Sequence, residues 1–334
     1  MLLLLSLPTK QTQFLNTSVK FLLGVDPTKS LAGAPHTSES FIAYFHDALF
    51  LTMYRLLLGP LFFLYPQNRY RKVLKANHDY IDYSINLALE DNAKRNGALN
   101  VGDQQDKQPS LLSGLSLQTD DRVFIRNQII QGMMASQETT SALLGNACFL
   151  LSRSPKHWQQ IRTAISHHDL SDFDFDTLLN LKVVQNILME TLRIYPIFHV
   201  MARIANHNTT LPVGSGPDHS EPIFIPKGTV VAMNYYALHR DPAVYGSDVE
   251  TFRPERWETI HPTHWEFMGF GGGNRECLGQ QKVLVEAAYV LVRLAKQFQG
   301  IESRDNKDWE GEVKLTCKSK NGCKVALFRD AANK

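Results

Sequence analysis

The 334-residue chain sets 35 Lys and Arg against 33 Asp and Glu, and a net charge of +2 excludes the concentrated basic surface of a nucleic-acid binder. A hydrophobic content of 43% provides for a large core, as in an ordinary globular chain. The four cysteines have no regular spacing, which excludes a disulfide scaffold and a cysteine-rich zinc module.

The opening MLLLLSL is apolar but too short to span a bilayer, and it lacks the charged leader and cleavage site of a secretory signal. KFLLGVDPTKS and RKVLKANHDYIDYSINLALED read as helices. Between them ALFLTMYRLLLGPLFFLYP, interrupted by Arg55 and Pro60, makes a poor membrane span and reads as a helix followed by an apolar loop. Residues 92–118, rich in Asn, Gly, Asp, Gln and Ser, read as a surface loop between helices. No internal repeat is present.

A long helix then runs from a cap region at Thr119-Asp120-Asp121 to a stop at Ser154-Pro155. It is too apolar all round for a surface helix and too often interrupted by polar residues for a membrane span, so it reads as a buried core helix. In its middle lies a polar knot, Ser136-Gln137-Glu138-Thr139-Thr140, whose burial costs free energy unless a site needs it. Downstream, METLRIYP sets Glu190 and Arg193 three residues apart on one face of a helix that Pro196 terminates. By spacing alone that pair is a solvated surface bridge worth a few tenths of a kcal/mol, roughly.

HVMARIANHNTTLP reads as a strand region with Arg203 as an edge cation. PIFIPKGTVVAMNYYALHRDPAVYG alternates around Pro226-Lys227-Gly228 as a β-hairpin would, and His239 within it reads as a structural residue. TFRPERW supplies Arg256. In FGGGNRECLG, glycines and Arg275 surround Cys277 just ahead of a helix, LGQQKVLVEAAYVLVRLAKQF, whose positive end favours a thiolate. Gly271 to Gly273 and Gly279 let backbone approach a flat ligand without Cβ clashes. That setting suits a macrocycle better than a bare ion, because no ligand cluster for zinc surrounds Cys277; a buried structural cysteine in a capping loop is the alternative. LTCKSKNGCKVALF reads as a hairpin turning at Asn321-Gly322, with Cys317 and Cys323 as free thiols of a reducing compartment.

FGGGNRECLG resembles the haem-binding loop of the cytochrome P450 family, F-x-x-G-x-R-x-C-x-G, with Phe270, Gly273, Arg275, Cys277 and Gly279 in register. METLR matches the family's E-x-x-R motif and FRPERW its PERF-like stretch. QGMMASQETT is similar to the distal-helix pattern A/G-G-x-D/E-T-T/S, with Ser136 standing where glycine is usual. The resemblance implies a mainly α fold with small β-sheets (α+β), in one domain over residues 1–334 that lacks the family's N-terminal portion. Residues 1–118 would form substrate-covering helices and a membrane-facing loop, and residues 119–334 the distal helix, the E-x-x-R helix, β-hairpins and the thiolate loop. It further implies haem b with Cys277 as axial ligand, a buried triad of Glu190, Arg193 and Arg256, Arg203 beside a haem propionate, and proton delivery by Glu138 and Thr139.

NTTLPVGSGPDHSEPIFIPKGTVV, ALHRDPAVYG and CLGQQKVLVEAAYVLVRL look most like the fungal alkane and fatty-acid hydroxylases. The implied activity is hydroxylation of a long-chain alkane or fatty acid with O2 and electrons from an NADPH-dependent reductase. The family setting is the cytosolic face of the endoplasmic reticulum membrane, with a membrane surface as partner of the full-length form. Two alternatives accompany this reading: a truncated, catalytically incompetent remnant, and a haem-thiolate isomerase that needs no reductase.

Overall fold

The computed structural model describes residues 2–6, 11–26, 31–65, 67–97, 110–313 and 316–329. Two units divide the chain, one of residues 9–141 and one of residues 1–8 with 142–334. In chain order the first elements are strand β1 (Leu2–Ser6), which belongs to the second unit, and helices α1 (Gln11–Leu23), α2 (Ser38–Leu58), α3 (Gln67–Gly97), α4 (Leu111–Ser116) and α5 (Arg122–Leu151).

The first unit is a helical cluster whose core follows the i, i+4 rule. Phe41 and Phe45 of α2, Ile81 and Ile85 of α3, and Ile125, Ile129 and Met133 of α5 meet Val19 and Leu22 of α1 in one buried group. Tyr80 stacks its ring on Phe41 at 4.3 Å and places its hydroxyl 3.0 Å from Ser38 Oγ, so the one polar atom of that ring is satisfied. The helix starts are capped by short polar side chains. Thr37 Oγ1 accepts the Ser40 N–H at the head of α2, and Asp121 Oδ1 accepts the N–H groups of Val123 and Phe124 at the head of α5. Helix α2 stops at Gly59, with φ 51°, and a 3₁₀ turn follows over Gly59–Leu64. Leu56, Leu57, Phe63 and Leu64 stand exposed there, and by length and composition Ser38–Leu64 is apolar enough to cross a membrane. The segment read as a 92–118 loop is shorter than its composition suggests: α3 continues through Gly97, and Ser110 with Ser113 forms a capping box that starts α4. Its middle lies outside the described residues.

The second unit continues through α6 (Pro155–Ala164), α7 (Phe175–Asn180), α8 (Lys182–Ile194), β2 (Val200–Ile204), β3 (Thr209–Ser215), β4 (Glu221–Ile225), β5 (Val230–Asn234), α9 (Tyr235–Leu238) and α10 (Pro242–Tyr245). It ends with α11 (Gln280–Gln297), β6 (Gly300–Ser303), β7 (Gly311–Val313), β8 (Cys317–Ser319) and β9 (Lys324–Phe328). Helices α6, α8 and α11 pack together through Trp158 and Ile161, Val184, Ile187 and Leu188, and Leu284, Ala287 and Leu291, all buried. Arg162 donates to the carbonyls of Ala295 and Phe298 at 2.9 and 2.7 Å, closing the C-terminal end of α11 with a cation. Helices dominate and the sheets are small and antiparallel, as a mixed α+β fold requires.

The strand pairing differs from both hairpins read in the sequence. The turn at Pro226-Lys227-Gly228 exists, with Gly228 at φ 87°, but β4 pairs with β3 and β5 with β2. Pro226 has no N–H to extend the β4 ladder, and Gly228 N–H instead donates to Ala205 O in the preceding loop. Likewise Gly322 turns the chain at φ 69°, yet β8 pairs with β7 while β9 sits between β1 and β6. Strand β9 buries Val325, Ala326 and Leu327 and has both edges taken, one by the opening leucine run.

Candidate functional site

Helix α8 carries Glu190 and Arg193 one turn apart, both 0% exposed. Glu190 Oε1 accepts from Arg193 Nη2 and Arg256 Nε at 2.9 Å each and from the Arg253 N–H at 3.0 Å. Its Oε2 accepts from Arg193 Nε at 2.9 Å and Trp257 Nε1 at 3.0 Å. One carboxylate thus receives five donors. The guanidinium groups spend their remaining N–H groups on backbone: Arg193 reaches the carbonyls of His239, Val249 and Thr251, and Arg256 those of Tyr245, Asp248 and Thr251. Asp248, 3.2 Å from Arg256 Nη1, brings a second acid to Arg256. The three motif residues are therefore one buried cluster rather than a surface bridge, and burial makes each partner's charge depend on the others. Trp257, Asp248 and the Arg253 amide were not read in the sequence. Trp257 had a signal, since it adjoins Arg256, whereas a backbone donor has none.

His239 is fully buried beneath this cluster. Its Nε2 accepts the Met268 N–H at 3.0 Å, and its ring stacks on Phe267 at 4.9 Å, so a structural histidine holds the approach to the Cys277 loop. Burial pulls its pKa down to about 4, with the nearby Leu192 carbonyl opposing that shift. The unfolded chain binds this proton first, at the ordinary value of 6.5, so acidification from 6.5 towards 4 favours unfolding. Comparing urea midpoints at pH 7 and pH 4.5, roughly, should show His239→Gln removing on the order of 3 kcal/mol of the acid-dependent loss. An unchanged pH dependence in the variant would contradict this assignment.

The loop itself is shaped by backbone. Gly271 and Gly273 take φ of 77° and 67°, a region closed to most side chains, and a Cβ on Gly272 would stand 2.9 Å from Trp265 and 3.0 Å from His264. The Cys277 N–H donates to Phe270 O at 2.9 Å and the Glu276 N–H to Gly273 O at 3.1 Å, so the loop closes on itself. Phe270 is half-buried, while Arg275 and Cys277 are exposed. At Gly279 a Cβ would lie 3.8 Å from Cys277 Sγ. Gly279 caps α11 without a side-chain bond, and no acid stands in that helix's first turn, so its positive end faces no competing carboxylate there. The other cysteines are buried, and burial raises the pKa of Cys317 to about 11 and that of Cys323 as well. Among the described residues no grouping of His, Cys, Asp and Glu could hold a bare metal ion.

Arg203 lies on β2, exposed, donating to Ala202 O at 3.0 Å, and is not hydrogen-bonded to the loop among the described residues. In the first unit, Glu138 and Thr139 are half-buried on α5, and the Thr139 hydroxyl donates to Ala135 O at 2.7 Å.

A family model described as "Cytochrome P450" matches residues 28–322. Cytochrome P450 monooxygenase FPY7 of Fusarium mangiferae is 34% identical over 94% of this chain and 60% of its own length. Cytochrome P450 monooxygenase fsdH of Fusarium heterosporum is 36% identical over 96% of this chain and 57% of its own. Cytochrome P450 52A10 of Candida maltosa is 38% identical over 74% of this chain and 48% of its own. The chain thus spans about half to three-fifths of the length of these curated relatives. With the family model covering most of its residues, the chain belongs to the cytochrome P450 family.

Proposed function

We propose that this chain carries the haem-thiolate half of a monooxygenase that hydroxylates a long-chain apolar substrate, an alkane or fatty acid, with electrons from an NADPH-dependent reductase. Membership of the family implies haem on a cysteine thiolate. The residues present fit that group: the exposed thiol stands between glycines whose conformations keep Cβ atoms away from a flat ligand, and the other three thiols are buried. That contrast among the four cysteines carries the reading. When bound, the haem supplies oxygen activation, which the protein does not perform itself.

The chain's own residues have separate tasks. Cys277 would hold the iron through its thiolate, Phe270, Gly273, Arg275 and Gly279 would shape its loop, and Arg203 would be the cation for a haem carboxylate. Glu138 would take protons from solvent and the Thr139 hydroxyl would hand them on, an acid–alcohol pair on one stretch of α5. The triad of Glu190, Arg193 and Arg256 would hold the segment behind the haem. The exposed apolar stretch around Leu56, Leu57, Phe63 and Leu64 supports placement at a membrane surface, the endoplasmic reticulum in the family setting. The resemblance to fungal alkane and fatty-acid hydroxylases supports the substrate class.

The deciding experiment is the carbon monoxide difference spectrum of the reduced, haem-supplied chain, followed by product analysis with reductase and a series of fatty acids. A red-shifted Soret band and terminally hydroxylated products are expected; a band of neutral-thiol or histidine ligation would sink the proposal. Thr139→Ala should lower the share of reductant recovered as product by roughly ten-fold or more, the scale of a general acid–base contribution. If that share is unchanged, Thr139 is no relay.

A further inference from the structure

In the first unit, Ile125, Ile129, Met133 and Thr140 are all 0% exposed and define the buried face of α5. Met134 and Ala135 are exposed on the opposite side. Ser136, which replaces the glycine usual in the family pattern, turns to the buried face. Its hydroxyl donates to Ser18 Oγ on α1 at 2.8 Å and lies 3.4 Å from the Met133 carbonyl. Ser18 is itself 0% exposed. One turn earlier the two helices already touch: a Cβ on Gly132 would come within 3.1 Å of Leu22 on α1.

We propose that Ser18 is a positioning residue that acts through Ser136 to fix the stretch of α5 carrying Glu138 and Thr139. This rests on the reading of that stretch as the proton-delivery segment. A side chain at this position must either point to solvent or find room against α1, and that of Ser136 lies against α1. Once against α1, its hydroxyl loses water and needs a partner, because an orphaned buried hydroxyl is costly. Ser18 meets that need. The consequence reaches the relay through the backbone: the Thr139 hydroxyl donates to the carbonyl of Ala135, and the Thr140 hydroxyl to that of Ser136 at 3.1 Å. Both acceptors belong to the turn that the Ser136–Ser18 bond pins. Sliding or rotating α5 on α1 would break this half-buried bond and leave the buried Ser18 hydroxyl without it, so the two serines set the register in which Glu138 and Thr139 are presented.

A double-mutant cycle with Ser18→Ala and Ser136→Ala tests this in the full chain. Hydrogen exchange of the α5 amides at 135–141 should quicken about five-fold in each single variant, the scale of one net hydrogen bond. The double variant should be no faster than either single, since removing both hydroxyls leaves no orphan. The share of reductant recovered as product by the haem-loaded chain should fall in the singles and fall no further in the double, because either change already removes the bond. Unchanged exchange in the singles, or additive effects in the double, would overturn the proposal. So would altered exchange with an unaltered product share, the signature of a mere brace. The exchange cycle needs no haem, so a wild-type chain without a thiolate band would remove the functional reading while leaving the Ser18–Ser136 bond to be judged on its own.

Discussion

Replacing Glu190 with alanine should cost about 3–5 kcal/mol of folding stability, a large part of what a domain of this size has. The carboxylate accepts from Arg193, Arg256, Trp257 and the Arg253 amide, and the side chains of Arg193 and Arg256 are wholly buried. Its removal leaves two guanidinium groups with 0% exposure, and among the described residues Arg256 keeps an acid partner in Asp248, itself one-third exposed, while Arg193 has none. Uncompensated buried charge is among the few mechanisms that produce losses of this size. A urea titration of wild type and variant measures it, and a loss under about 1 kcal/mol would show that the cluster is not the anchor described.

A common remedy for a broken buried ion pair is to replace all its members by apolar residues, which is often neutral or stabilising. Here that replacement should fail. Arg193 and Arg256 also donate to the carbonyls of His239, Tyr245, Asp248, Val249 and Thr251, which lie in the irregular chain after β5 and have no strand or long helix to satisfy them all. The Asp248 carbonyl would keep the Thr251 N–H, but an apolar triple variant would take their arginine donors from the other four, at a cost of 1–3 kcal/mol each, roughly, where water does not reach them. The arginines therefore do more than neutralise a glutamate: they organise the segment that leads through His239 and Met268 to the cysteine loop.

What the sequence made legible follows the range of the interactions. Helices α5, α8 and α11 have long periodic patterns and local stop signals, and Glu190 with Arg193 shares a face because both lie within one helical turn. The turns at Gly228 and Gly322 were equally local, since a positive φ calls for glycine. Their strands were not. Which edge β4, β5, β8 or β9 pairs with depends on chains far away, and a turn signal cannot say that the flanking strands part company. The opening leucines show the same limit: too short to span a bilayer, they join the edge of a sheet whose central strand lies more than three hundred residues away, roughly, by chain position. At the site, side chains within a motif could be read, whereas the Ser18 partner of Ser136 and the His239 contact to Met268 belong to distant segments and became visible only with the fold.

Cys277→Ser should abolish the red-shifted carbonyl band of the haem-supplied chain entirely. The completeness follows from the other three cysteines. Cys148, Cys317 and Cys323 are buried, and burial holds the thiols of Cys317 and Cys323 in the protonated form, so neither can move in as a replacement thiolate. A serine hydroxyl in the same loop keeps the size and the backbone bond to Phe270 but is a far weaker anionic ligand at neutral pH, so the loop should survive while the ligation does not. Circular dichroism and the urea midpoint of the variant should match wild type to within about 0.5 kcal/mol, as for a surface substitution. Loss of the band together with loss of the fold would mean that the cysteine is structural. Persistence of the band in a folded variant would mean that another thiol binds the iron, and the assignment of Cys277 would fall.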